Sequence, residues 1–125
     1  MLALGPLLAE PNGSKPSHMP QAVGLIVEQI HAEWDAPLVL DDFAETAGLS
    51  RFQTLRAFSQ QMGITPHAYL VQLRLNRARG LMLQGVSLAE AAIATGFTDQ
   101  AHMTRAFARQ FGLSPGRYLK AGGVQ

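Results

Sequence analysis

Two stretches of this chain repeat each other. At an offset of 48 residues, Leu40 matches Leu88, Ala44 matches Ala92 and Gly48 matches Gly96. At an offset of 49, Arg56, Ala57 and Phe58 match Arg105, Ala106 and Phe107. Gln61/Gln110, Gly63/Gly112, Pro66/Pro115, Tyr69/Tyr118 and Leu70/Leu119 continue the second register. One extra residue therefore enters the second copy between Gly96 and Arg105. A repeat of this kind means that one supersecondary unit is used twice.

The punctuation of the chain says what that unit is. Gly48 and Gly96 read as helix stops, because glycine takes the positive φ of a tight interhelical turn without strain. Ser50-x-x-Gln53 and Ser87-x-x-Glu90 read as capping boxes that start helices. Gly63, Gly85 and Gly112 are further stops, and Thr98 is the expected cap of the helix that Gly112 ends. Thr65-Pro66 and Ser114-Pro115 each give a cap followed by proline at the first helical position. No segment alternates apolar and polar residues at period two, so no strands are expected. Short helix, glycine turn and second helix is the helix-turn-helix pattern. Ala44 and Ala92 are small where the two helices cross. The predicted fold is all-α: two helix-turn-helix subdomains joined by a long linker helix, about seven helices in all.

The expected layout is a flexible tail or residual linker over 1–20, broken by six Gly and Pro residues, then a helix from Gln21 to about Trp34 carrying Val23, Ile26, Val27 and Ile30 at helical spacing. The first helix-turn-helix unit covers about 40–62, the linker helix about 66–84 and the second unit about 87–111, with a short tail over 121–125. On the linker helix Leu70, Leu73, Ala78, Leu81 and Met82 supply core residues, Arg74 supplies charge, and Arg77 and Arg79 read as solubilising.

Composition removes other classes. The chain of 125 residues has no cysteine, which excludes a disulfide scaffold, a cysteine-based zinc finger, an iron–sulfur site and a thiol nucleophile, and fits a reducing compartment. No apolar run is long enough for a membrane span, and the start MLALGPLLAEP lacks the basic residues of a secretory signal. The four histidines show no metal-ligand spacing, no acidic pair has an acid/base arrangement, and no glycine-rich phosphate loop is present. An enzyme is therefore not expected, and no cofactor or metal is implied.

Net charge is only +1, but its distribution is lopsided. Up to Leu49 there is one basic residue against seven acids; from Ser50 onward there are nine basic residues against two acids, a net of +7. Such asymmetry points to a polyanionic partner or to a solvated basic face.

The second helix of each unit is where a polyanion would be met. Phe58 and Phe107 should face the core, which turns Arg56 and Arg105 outward. Arginine suits that place because its planar fork pairs with guanine O6 and N7. Gln53 and Gln100 can serve adenine, Phe52, Leu55 and Ala101 can touch thymine methyls, and His102 is a plausible groove contact. The hydroxyls of Ser50 and Thr98 favour phosphate oxygens. Bland roles compete: Gln53 can simply close its capping box, Phe52 and Leu55 can be buried, Asp99 suits capping better than base reading, and Arg109 and Lys120 can be plain solvated cations.

The run Ala47, Gly48, Leu49, Ser50, then Arg56-x-Phe58, Gly63, Thr65-Pro66, Tyr69-Leu70, Arg74-Leu75 and Ala78 resembles the DNA-binding domain of the AraC/XylS transcription regulators. So does Ser87-Leu88, Glu90, Ala92, Gly96-Phe97, His102, Arg105-x-Phe107, Phe111-Gly112, Pro115 and Tyr118. The likeness covers roughly Gln21 to Lys120 and is most specific over GFTDQAHMTRAFARQFGLSPGRYL. It implies double-stranded DNA as partner, with two recognition helices in adjacent major grooves. A linker helix of about 19 residues would be a rod of roughly 28 Å, suited to grooves one turn (~34 Å) apart.

Carried over by position, the base contacts are Phe52, Leu55, Arg56, Gln100, Ala101, His102 and Arg105. The phosphate candidates are Ser50, Arg51, Gln53, Thr98 and Arg109. The chain departs from the family at Thr54 and Ala57, where larger apolar residues are usual, and at Val39, which stands where Ser87 caps the second unit. Looser packing of the first unit is the expectation.

Family members carry a separate sensing and dimerising domain. Only 20 irregular residues precede the first expected helix, too few for a small-molecule pocket. The chain is thus expected to be the DNA-binding fragment of a longer ligand-responsive activator, cytoplasmic and nucleoid-associated, meeting its inducer only through an absent domain and contacting RNA polymerase. A naturally short stand-alone regulator is the other possibility for its length. A helical protein-interaction module without specific DNA binding is the alternative function.

Overall fold

The computed structural model describes residues 14–122. These form seven helices and no strand: α1 (Ser14–Ala32), α2 (Leu40–Ala47), α3 (Arg51–Met62), α4 (Pro66–Leu83), α5 (Leu88–Ala94), α6 (Gln100–Phe111) and α7 (Pro115–Lys120). The chain divides into two compact units. One holds α1, α2 and α3; the other holds residues 33–38 together with α4 to α7.

In the first unit, α1, α2 and α3 pack mutually. Ala22, Val23, Ile26 and Ile30 line the inner stripe of α1, Phe43 and Ala44 that of α2, and Ala57 and Phe58 that of α3. The turn between α2 and α3 is built on Gly48, which sits at φ 70°. Beyond it the Leu49 amide donates back to the Ala44 carbonyl at 2.9 Å, the bond that closes a Schellman turn. Val39 precedes α2 with no side-chain cap, in keeping with its lack of a hydroxyl. Thr54 is fully buried, and its hydroxyl is satisfied by donating to the Ser50 carbonyl at 2.7 Å. A buried threonine at this position thus brings its own acceptor one turn back on the helix.

The second unit repeats the device. Gly96 sits at φ 89°, and the Phe97 amide donates to the Ala92 carbonyl at 2.9 Å. The core joins Leu75, Ala78 and Met82 of α4 to Ala91 and Ala92 of α5, Met103, Ala106 and Phe107 of α6, and Tyr118 of α7. Phe107 lies edge-on to Tyr118, with ring centroids 5.5 Å apart. Ser87 caps α5 by accepting from the Glu90 amide at 3.1 Å. The box is not reciprocal as the sequence suggested: the Glu90 carboxylate accepts a hydrogen bond from the Ser87 hydroxyl, at 3.2 Å, instead of from the Ser87 amide.

Two expectations need correction. The tail over 1–20 does not hold for its last seven residues, since α1 begins at Ser14; residues 1–13 lie outside those described, as do 123–125 of the expected C-terminal tail. The helix also ends at Ala32 instead of about Trp34. Pro16 falls in the first turn, where amides have no intrahelical partner, and Pro20 removes a single backbone bond from a helix whose apolar stripe is fully packed. Tertiary burial outweighs the local break.

The arginines of α4 are the second correction. Arg74 is a half-buried tie, not a surface charge. Its Nε donates to the Trp34 carbonyl at 2.7 Å, its Nη2 to the Ala36 carbonyl at 2.7 Å and its Nη1 to the Gly96 carbonyl at 3.3 Å. Burial pushes its pKa below the ordinary arginine value, and Asp35 works in the opposite direction. Arg77 lies over the Trp34 ring, 4.6 Å from its centroid, and Arg79 over Phe111 at 4.9 Å. Both set their guanidinium groups against aromatic rings instead of merely solubilising.

A Cβ on Gly96 would stand 2.8 Å from Arg74 Cζ, whereas one on Gly48 meets nothing within 4 Å. Gly48→Ala should therefore cost only the left-handed backbone strain, about 1 kcal/mol. Gly96→Ala should cost about 1 kcal/mol more, because a guanidinium held by three carbonyls has to move. In an Arg74→Ala background that excess should vanish. A double-mutant cycle by urea denaturation measures it.

Candidate nucleic-acid interface

The two helices that follow the glycine turns are built alike. Each is 12 residues long, each has an extended N-cap, and each ends at a left-handed glycine, Gly63 or Gly112. Phe58 and Phe107, eight residues after the N-cap in both, have no solvent exposure. Two residues back on a helix lies roughly 200° around the axis, so burying the phenylalanine turns the arginine before it outward. Arg56 and Arg105 are both exposed.

On α3 the Ser50 hydroxyl accepts from the Gln53 amide at 3.1 Å, and the Gln53 side-chain oxygen accepts from the Ser50 amide at 3.0 Å. The capping box is complete, and Gln53 commits its carbonyl oxygen to it. Phe52 and Leu55 are 68% and 39% exposed. Phe52 is thus apolar surface that its own unit does not cover. The Arg56 guanidinium lies 5.9 Å from its ring centroid, giving a joint apolar and cationic patch. Arg51 is exposed but pairs with Asp41, Nε to Oδ1, at 3.1 Å, with both side chains 70% exposed.

On α6 the cap is Asp99, not Thr98. Asp99 holds φ −161°, and its Oδ1 accepts from the His102 amide at 2.8 Å. The reason lies in the extra residue of the second copy. Gly48 is followed after one residue by its cap Ser50; Gly96 is followed after two, Phe97 and Thr98, by Asp99. Thr98 remains exposed in the turn, where its amide donates to His102 Nδ1 at 3.4 Å. The imidazole also stands edge-on to Phe97, with centroids 5.3 Å apart. His102 is thus held from two sides. Gln100, Ala101 and Arg109 are exposed beside it.

Within its own unit, each helix therefore presents its members of the predicted set to solvent: Ser50, Arg51, Phe52, Leu55 and Arg56 on α3, with Gln53 half-buried, and Gln100, Ala101, His102, Arg105 and Arg109 on α6. The offset of 49 that pairs Arg56 with Arg105 also pairs Leu55 with Thr104, a half-buried residue outside the predicted set.

A fold of two capped helix-turn-helix units with one exposed arginine at the same place in each is that of a double helix-turn-helix domain. A family model described as a helix-turn-helix domain matches residues 43–121. A transcriptional regulator with an AraC-type DNA-binding domain from Chromobacterium violaceum is 33% identical, with a TM-score of 0.70, covering 86% of this chain and 92% of that one. The DNA-binding domain of AdpA, a global transcriptional factor solved in complex with a target DNA, is 26% identical with a TM-score of 0.70, covering 80% and 91%. The transcriptional activator NphR of Rhodococcus sp is 37% identical over 77% of this chain, but only 28% of NphR is covered. The chain belongs to the AraC-type helix-turn-helix family of DNA-binding transcription regulators. It spans about 30% of the length of the curated relatives it matches.

The cap assignment can be tested on its own. Asp99→Ala should lower stability by about 1 kcal/mol, while Asp99→Asn and Thr98→Ala should each change it by no more than a few tenths. Thermal unfolding followed by circular dichroism distinguishes them; a larger loss for Thr98→Ala would return the cap to threonine.

Proposed function

We propose that this chain is the DNA-binding part of a longer regulator and that α3 and α6 read bases in adjacent major grooves. The observation that carries this is the pair Arg56 and Arg105, exposed at one and the same distance from the N-cap of two helices of equal length. In this reading Phe52, Leu55 and Arg56 meet bases from α3, and Gln100, Ala101, His102 and Arg105 meet bases from α6. Arg51 and Arg109 meet phosphates, with Ser50, Gln53 and Thr98 at the helix starts. Phe52 suits a thymine methyl, since its ring is apolar, exposed and buttressed by a cation. Ser50 and Gln53 fix the helix start through their side-chain oxygens, and the Ser50 hydroxyl proton and Gln53 Nε2 are the donors they would turn to a phosphate.

The rest of the regulator would bring ligand sensing and dimerisation, in keeping with the chain's share of its relatives' length. Activation through RNA polymerase is the proposed mode of control, in keeping with NphR being a transcriptional activator. The proposed setting is the bacterial cytoplasm, on the nucleoid, with no catalytic step. Among the described residues no helix is long and apolar enough to cross a membrane.

The test is affinity for an operator selected from random DNA, read by fluorescence anisotropy. Arg56→Ala and Arg105→Ala should each cost about 1–3 kcal/mol on that site and relax its sequence. Wild-type affinity should fall steeply with salt, at about −0.9 log units per phosphate neutralised. Salt-insensitive binding with both variants matching wild type would overturn the proposal.

A further inference from the structure

Resting on that DNA-binding reading, we infer that the cleft between α4 and α6 seats a phosphate of the DNA backbone, gripped by His67 and Arg109. The cleft has a volume of about 360 Å³ and lies wholly within the second unit. His67 and Gln72 line it from α4; His102, Arg109 and Gln110 line it from α6. Its floor is apolar, formed by Val71, Leu75 and Ala106. No carboxylate lines it, so every ionisable group around it is one that can carry positive charge.

Its position on α6 identifies the occupant. His102, Ala106, Arg109 and Gln110 form one ridge of the helix, about 100° around the axis from the ridge of Ala101 and Arg105. A helix with its side chains is ~10–12 Å across, and the major groove is ~12 Å wide. A helix seated with Arg105 toward the bases therefore has its flank against the phosphate wall. The cleft lies on that flank, and His67, from the first turn of α4, faces the same space. A phosphodiester matches such a lining: it is anionic, and it accepts several hydrogen bonds at once.

The first unit lacks this grip. The equivalents of His102, Arg109 and Gln110 on α3 are Gln53, Gln60 and Gln61, all uncharged. Arg51, near the start of α3, already faces Asp41. The two units thus divide the work unequally, with the second providing the stronger hold on the backbone.

The experiment pairs the full 125-residue chain with operator duplexes in which single phosphates are replaced by uncharged methylphosphonates. Wild type should lose about tenfold in affinity at one or two adjoining phosphates beside the second half-site. The His67→Ala/Arg109→Ala double variant should lose less than twofold at those same phosphates. Gln60→Ala should leave the wild-type pattern intact. Both altered side chains are exposed, so the fold should survive; Arg109→Gln alone gives the same reading with a smaller change. Full methylphosphonate sensitivity in the double variant would overturn the cleft while leaving DNA recognition standing, and failure of wild type to bind any duplex would overturn both.

Discussion

Everything this domain displays depends on the glycine elbow between two short helices. At Gly48 and Gly96 the backbone enters the left-handed region, and the next amide bonds back to the carbonyl of Ala44 or Ala92. That bond ends one helix and sets the direction of the next. The alanines matter because a larger side chain there would hold the helices apart; Ala92 has no solvent exposure at all. Once the elbow is set, a capped helix follows, Phe58 or Phe107 sinks into the core, and an arginine is left outside. Function in this reading is the residue of packing: what the core does not take faces the duplex.

The second elbow is more heavily constrained than the first. Arg74 ties its carbonyl to those of Trp34 and Ala36, and the guanidinium lies where a Cβ on Gly96 would project. Glycine at 96 therefore satisfies two demands, backbone conformation and the space for a cation. The cation must carry several donors in one plane, since three separate carbonyls accept from it. Lysine has a single nitrogen and could not replace it.

The elements governed by local rules were legible in the sequence. Gly48, Gly63, Gly85, Gly96 and Gly112 all adopt positive φ, and Ser50, Ser87 and Ser114 all cap. Each such signal needs only neighbours within about one turn of helix. The doubled unit was legible because its signals recur in register. What escaped depends on contacts distant in sequence or on fine length. Pro20 marks a break by local rules, yet α1 runs through it because its apolar stripe is buried. Thr98 and Asp99 are both good caps, and only the length of the turn chooses between them. Arg74, Arg77 and Arg79 look alike as charges on a rod; their partners, carbonyls and rings up to 40 residues away, leave no local mark. Of the candidate site, the exposure of Phe52 and Leu55 could not be read from periodicity, because an apolar residue near a helix start is equally at home inside.

The central claim is that Arg56 and Arg105 are equivalent readers, each responsible for its own stretch of DNA. The most direct measurement is selection of bound sequences from a random DNA pool by wild type, Arg56→Ala and Arg105→Ala in parallel. Wild type should select a two-part motif with its halves about 10 base pairs apart, and each variant should lose information in one half while keeping the other. A single undivided motif, or one that both variants recover unchanged, would contradict it.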